Sequence, residues 1–452
     1  MRKIARIIYT IIIIMTILGF ALSAAAEEIE LRSLLSGTLS NPLRIMLISP
    51  SYRKLAQYGD ERLDGLNRLM SHFSVDILLD ESLSETSLLL DNELLFSITE
   101  MTDGDVTKSI YSVEPETVYE NDGNDRESDF SLFLEKQFFN MNRLMDDLYQ
   151  VFEKTADVFQ ELGREEKANL NFSGFGKGVR RITIPVPADY VSEYFPAAVS
   201  NLAVSDESRD FIEKLVFSGP QKIILLYDQD NCLLRINYDG MIGLSEDTLR
   251  KVSLVWRCVR KDNHTKDKLE LKTPRIQGSD RYNLTFIRDL DLTREDQHSL
   301  SWDLQIDDKN GDEKKKTQYK AELSFNDGIM QGEILFSNKK DGMEEKLIIA
   351  PEMRKENDSQ YSGTLEITNK KGKITISSIQ CGFCMSAAEG NSITFPVAQS
   401  FKDAGKASKE EVLRRMESIL IRGLVKLPPS DTNFMSSDIP GDVWKSLIES
   451  VE

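Results

Sequence analysis

The sequence predicts an α+β protein: a large curved antiparallel sheet, a half-barrel, wrapped around one or more helices. Two observations predict it. Between Gln221 and Gln380, strands recur with turn signals between them and alternate apolar with polar side chains. Ahead of them, one apolar stripe at helical spacing runs from Leu134 to Leu162. A sheet with one apolar face and a helix with a wide apolar stripe each need a cover, and each can supply the other's.

The chain opens with Arg2, Lys3 and Arg6, an apolar run from Ile7 to Leu22, and Ser23-Ala24-Ala25-Ala26. A basic start, an apolar centre and a small-residue exit form an export signal over residues 1–26. The protein is therefore expected to be extracytoplasmic, secreted or associated with the cell envelope, with the membrane involved only through an uncleaved signal. Formal net charge is −18, and loss of three basic side chains with the signal takes it to −21 (−18 − 3). Such a body repels phosphate backbones, which argues against nucleic acid. Hydrophobic content of 40% supplies a core and argues against disorder.

Residues 27–55 read as a lead-in. Residues 56–219 read as a helix-rich half with short strands. Leu63, Leu66, Met70 and Phe73 are spaced for a helix, and strand-like runs follow at Ser74–Asp80, Thr86–Leu90, Glu93–Ile98 and Lys108–Val113, with Asp91-Asn92 and Asp103-Gly104 as turns. Residues 114–129 read as an acidic loop. The long stripe takes in Leu134, Phe138, Met141, Met145, Leu148, Phe152, Phe159 and Leu162. Gly174-Phe175-Gly176-Lys177-Gly178 lacks the ending of a nucleotide-binding loop and reads as a hairpin turn between two strands. Helices are predicted over Ala188–Leu202 and Asp206–Val216.

Residues 220–395 form the predicted meander. Leu300, Trp302, Leu304 and Ile306 share one face, as do Tyr319, Ala321, Leu323 and Phe325, and Tyr282, Leu284 and Phe286. Asp239-Gly240, Asn310-Gly311, Asp327-Gly328, Asp341-Gly342 and Lys371-Gly372 mark hairpins. Gly332 and Gly363 fall on the apolar parity, as bends or as gaps in the filling. Residues 396–452 form a helical tail with a capping box at Ser408 and Glu411 and a stop at Pro428-Pro429.

Chemistry-bearing motifs are few. Cys381-Gly382-Phe383-Cys384 has thiol–disulfide spacing, but it continues a strand rather than opening a helix. That disfavours an oxidoreductase and leaves a local disulfide or free thiols. Cys232 and Cys258 sit at matching parity on two strong strands. If those pair symmetrically about residue 245, Leu234 meets Trp256 and the two cysteines face each other at bridging distance; otherwise they are small buried apolar residues. His72, His264 and His298 show no metal-ligand spacing. No cofactor or metal is expected.

The runs Lys177–Arg181, Lys222–Asp230 and Leu233–Gly240 resemble those of an uncharacterised family of exported bacterial proteins. The order of early helix, meander and apolar filling helix resembles the LolA and LppX type of lipoprotein carrier. That resemblance implies a half-barrel holding lipid or acyl chains, and it transfers no site residue. The reading is a non-enzymatic exported protein. Its interior either binds a lipid or another hydrophobic ligand, lined by Phe152, Phe159, Trp256 and Trp302, or is the dry core of a structural or interaction module of the cell envelope.

Overall fold

The computed structural model describes, with short breaks, residues 43–123, 145–153, 162–187, 216–387, 402–403 and 423–428. Of these, 81% are strand and 8% helix. The α+β half-barrel wrapped around helices is thereby corrected to a nearly all-antiparallel β fold. The physical reason lies in the strands. They run to 15 residues, and most pair along nearly their whole length with the next strand, so the ladders take up most of the described backbone.

The chain divides into two compact units. One combines residues 1–126 with 350–452, and the other is 127–349. The first unit contains β1 (Leu43–Leu55), α1 (Asp60–Met70), β2 (Phe73–Leu79), β3 (Leu83–Leu90), β4 (Glu93–Asp103), β5 (Val106–Glu114) and β6 (Thr117–Gly123). From the distal part of the chain it adds β18 (Gln360–Lys371), β19 (Ile374–Ala387) and the two-residue β20 (Lys402–Asp403). Two expectations are corrected here. Residues 43–55 are not a lead-in but a strand pairing on both sides, Leu43 with Ala387 of β19 and with Leu79 of β2. Residues 117–123 are not loop but β6, paired to β5.

Pro50 hides β1 in the sequence. It sits in a bulge at Ser49-Pro50, where the register to β19 shifts and Ser49 takes φ +48°. Ile45, Leu47, Val75, Ile77, Tyr361 and Leu365 are buried in this unit's core. The Asn67 side chain docks α1 onto β1. It accepts from the Tyr52 N–H at 2.6 Å and donates to the Tyr52 carbonyl at 3.0 Å.

The second unit is a meander from β7 (Arg164–Phe172) and β8 (Gly176–Val186) through β9 (Val216–Tyr227), β10 (Leu233–Gly243), β11 (Arg250–Lys261) and β12 (His264–Pro274). It continues with β13 (Arg281–Arg294), β14 (Gln297–Asn310), β15 (Glu313–Asn326) and β16 (Ile329–Lys340). Each strand pairs antiparallel with the next from β7 to β16. β17 (Met343–Asn357) carries the chain from this unit back to the first.

Two-residue turns sit where the sequence places Asp91-Asn92 and Asp327-Gly328, all four residues at positive φ. Asp239-Gly240 is a correction: it marks no hairpin and lies inside β10. Gly332 is a close approach, since a Cβ there would stand 2.0 Å from the Glu322 carbonyl oxygen of the neighbouring strand. Of the long predicted helix, residues 145–150 and 152–153 are described and are helical. Phe159, the signal, residues 188–215 of the two predicted helices and most of the tail lie outside the described residues, and Val216, predicted to end the second helix, is the first residue of β9.

Candidate functional site

The candidate site is the inward face of β11 to β14 together with the helical stretch 145–150 and 152–153, all within the 127–349 unit. β12 alternates strictly. Thr265, Asp267, Leu269 and Leu271 alternate with His264, Lys266, Lys268 and Glu270, and the register carries this parity across the meander. Trp256 stands opposite Leu269, which stands opposite Phe286 and then Leu304. One step along, Cys258 faces Asp267, Asp267 faces Arg288, and Arg288 faces Trp302. Charge thus enters an apolar face at two directly opposed positions.

The Arg288 and Asp267 side chains are both 0% exposed. The Arg288 Nε–H donates to Asp267 Oδ2 at 2.8 Å, and its Nη2 lies 2.8 Å from the same oxygen. Nη2 also donates to Asp146 Oδ1 at 2.7 Å. Arg260 repeats the arrangement, donating to Asp267 Oδ1 at 2.9 Å and to Asp146 Oδ1 at 3.2 Å. The Trp256 indole N–H donates to Asp267 Oδ1 at 2.9 Å. Two guanidinium groups and two carboxylates make a neutral network, the arrangement that buried charge requires. It clamps the helical stretch to the sheet through Asp146.

Aromatic rings complete the clamp. Tyr149 and Phe152 both meet Trp256 edge-on with centroids at 6.2 Å, and the Arg260 guanidinium lies 4.8 Å from the Tyr149 ring centre. Burial, and then the neighbouring Cys258, push the Tyr149 hydroxyl well above its usual range. Both Asp267 oxygens are engaged by fixed donors, Oδ1 by Trp256 and Arg260 and Oδ2 by Arg288.

Of the four expected lining residues, Trp256 (0% exposed) and Phe152 (half-buried) come together. Trp302 lies opposite Arg288 and is 8% exposed, and Phe159 lies outside the described residues. Sequence reading missed Asp267, Arg288, Arg260 and Asp146. The available signal was parity, because Asp267 continues the Leu269–Leu271 face and Arg288 the Leu284–Phe286 face.

The cysteines take separate places, and all four thiols are free. The β10–β11 register pairs Ile236 with Trp256 and Tyr238 with Leu254, two residues away from the symmetric pairing about 245. Cys258 is buried and its thiol reaches the Leu233 carbonyl at 3.3 Å, while Cys232 immediately precedes β10, where its N–H donates to Asp228 Oδ1 at 2.8 Å. Cys381 and Cys384 lie inside β19. Burial pushes the Cys381 thiol up to about 12, away from the thiolate that redox exchange needs.

Among the described residues, no group of three or more His, Cys, Asp or Glu converges to hold a metal, and no helix is long and apolar enough to cross a membrane. No protein-family model matches the chain. No curated protein matches it either.

Proposed function

We propose that the protein is an exported, non-enzymatic structural or interaction module of the cell envelope whose described interior is filled by its own side chains. The observation carrying this reading is the full burial of Trp256, held between Tyr149, Phe152 and the Asp267 carboxylate. An acyl chain at that point would have to displace rings already in contact and lie against a buried ion network, at a cost in unsatisfied charge. The basic start, apolar run and small-residue exit of residues 1–26, read as an export signal, support an extracytoplasmic setting.

The test is native mass spectrometry of the full chain from an exporting host, before and after organic extraction. A bare mass in both spectra is expected. A lipid-sized adduct removed by extraction would overturn the filled-interior reading and restore the carrier.

A further inference from the structure

The opposite face of the same strands shows an arrangement that folding alone does not call for. Arg235 on β10 stands directly opposite Arg257 on β11, and Arg257 stands directly opposite Lys268 on β12. Like charges facing each other across a ladder are destabilising. The nearby carboxylate, Glu270, is held by Lys268 at 3.0 Å. Among the described residues, three cations therefore share one carboxylate in a chain whose net charge is −18.

The two guanidinium groups are poorly occupied. The Nε of Arg257 is buried with no hydrogen-bond partner, and its side chain forms no ion pair among the described residues. Arg235 donates its Nε–H to Asn237 Oδ1 at 2.7 Å and stacks 5.1 Å from the centre of the Phe172 ring, which fixes the plane of its fork. Burial, and then the charge of Arg257, pull Arg235 below the usual guanidinium range. One residue pair along β12, Lys266 lies 5.9 Å from the Phe175 ring, so the β7–β8 hairpin edges this face with aromatic side chains.

We propose that Arg235, Arg257 and Lys268 form an oxyanion-binding site for a phosphate- or sulfate-bearing ligand on the outer face of the 127–349 unit. Two opposed guanidinium forks match a tetrahedral oxyanion's edges, and a doubly charged group would relieve their mutual repulsion. The site is independent of whether the interior is filled. Glu270 competes with the ligand, so its neutralisation strengthens binding.

The experiment is calorimetric titration and thermal melting of the full chain with inorganic phosphate and with sulfate, against chloride at matched ionic strength. Wild type is expected to bind saturably, with a Tm rise of about 2–4 °C at roughly tenfold excess over Kd. Arg257→Gln abolishes the response while melting no lower than wild type without ligand, and Glu270→Gln binds several-fold tighter. Absence of saturable heat, or equal responses in wild type and Arg257→Gln, overturns the site. Should Arg257→Gln fail to fold, Glu270→Gln decides by the opposite sign: weaker or unchanged binding sinks the proposal. Phosphatidylcholine vesicles with and without phosphatidic acid then distinguish the source. Sedimentation with the phosphatidic acid vesicles alone assigns a lipid headgroup, and a phosphate response without vesicle binding assigns a soluble phosphorylated ligand.

Discussion

The two faces of β10 to β13 use the same residue types to opposite ends. Inside, Arg288 and Arg260 each meet Asp267 and Asp146, and every charge is answered within 3.3 Å. Outside, Arg235 and Arg257 face each other. The difference shows where folding dictates charge pairing and where it does not. A buried guanidinium without a carboxylate is not tolerated, whereas at the surface solvent screens a surplus. The inner network is thus accounted for by stability and specificity of the fold. The outer surplus is not, and the proposed oxyanion site is what would account for it.

The sharpest way to break the comparison is at Arg288. Arg288→Ala leaves Asp267 buried with fewer donors, and a loss of about 3–5 kcal/mol is expected in urea denaturation. Replacing both partners, Arg288→Met with Asp267→Leu, should recover most of that loss, because the cost lies in the orphaned charge more than in the absent pair. A single-variant loss below about 1 kcal/mol would mean that water reaches the pair and that the inner face is not distinct from the outer one.

A smaller effect follows at Asp146, whose side chain is 49% exposed. Asp146→Asn keeps an acceptor and loses the charge, so solvent screening holds the expected loss to about 0.5–1 kcal/mol. Its signature is local: amide exchange over residues 145–150 should quicken while β12 and β13 amides keep their protection. Uniform loss of protection would instead make Asp146 part of the sheet's own core.

Much of the meander was legible because alternation is a local signal. Leu300, Trp302, Leu304 and Ile306 announce their shared face without reference to any other strand, and Asp327-Gly328 announces its turn. What needed partners was not legible. The pairing of β1 with β19 joins residues 43 and 387, and no local pattern encodes that closure. The cysteine pairing failed on register: a shift of two residues preserves the face of every side chain while changing every opposite neighbour. Asp239-Gly240 misled because glycine serves close approach as well as turns, and here a Cβ would collide with the Gln221 side chain. The candidate site was half legible. Trp256 and Phe152 were visible as large apolar residues, but Asp267 and Arg288 read as ordinary strand charges until the register placed them opposite each other.

The smallest expected effect tests whether outer-face pairs follow the inner rule at reduced strength. Asp289 accepts from His264 Nε2 at 2.8 Å and from Lys266 Nζ at 2.7 Å, with its side chain 35% exposed. Burial raises its pKa, but the hydrogen bonds from Lys266 and His264 outweigh burial and leave the carboxyl below its ordinary value. A carboxylate depressed on folding stabilises the native state above its unfolded pKa, about 3.9, and loses that contribution as pH falls through the folded value. Wild type should therefore lose more stability than Asp289→Asn between about pH 5 and pH 2, by less than about 1 kcal/mol given the exposure. Glu270 is also depressed, first by its bond from Lys268, and it acts in both proteins, so the difference between the two curves isolates Asp289. Parallel acid limbs would show that this outer triad contributes nothing measurable, and the division between a paired interior and a weakly coupled exterior would be sharper than the geometry alone implies.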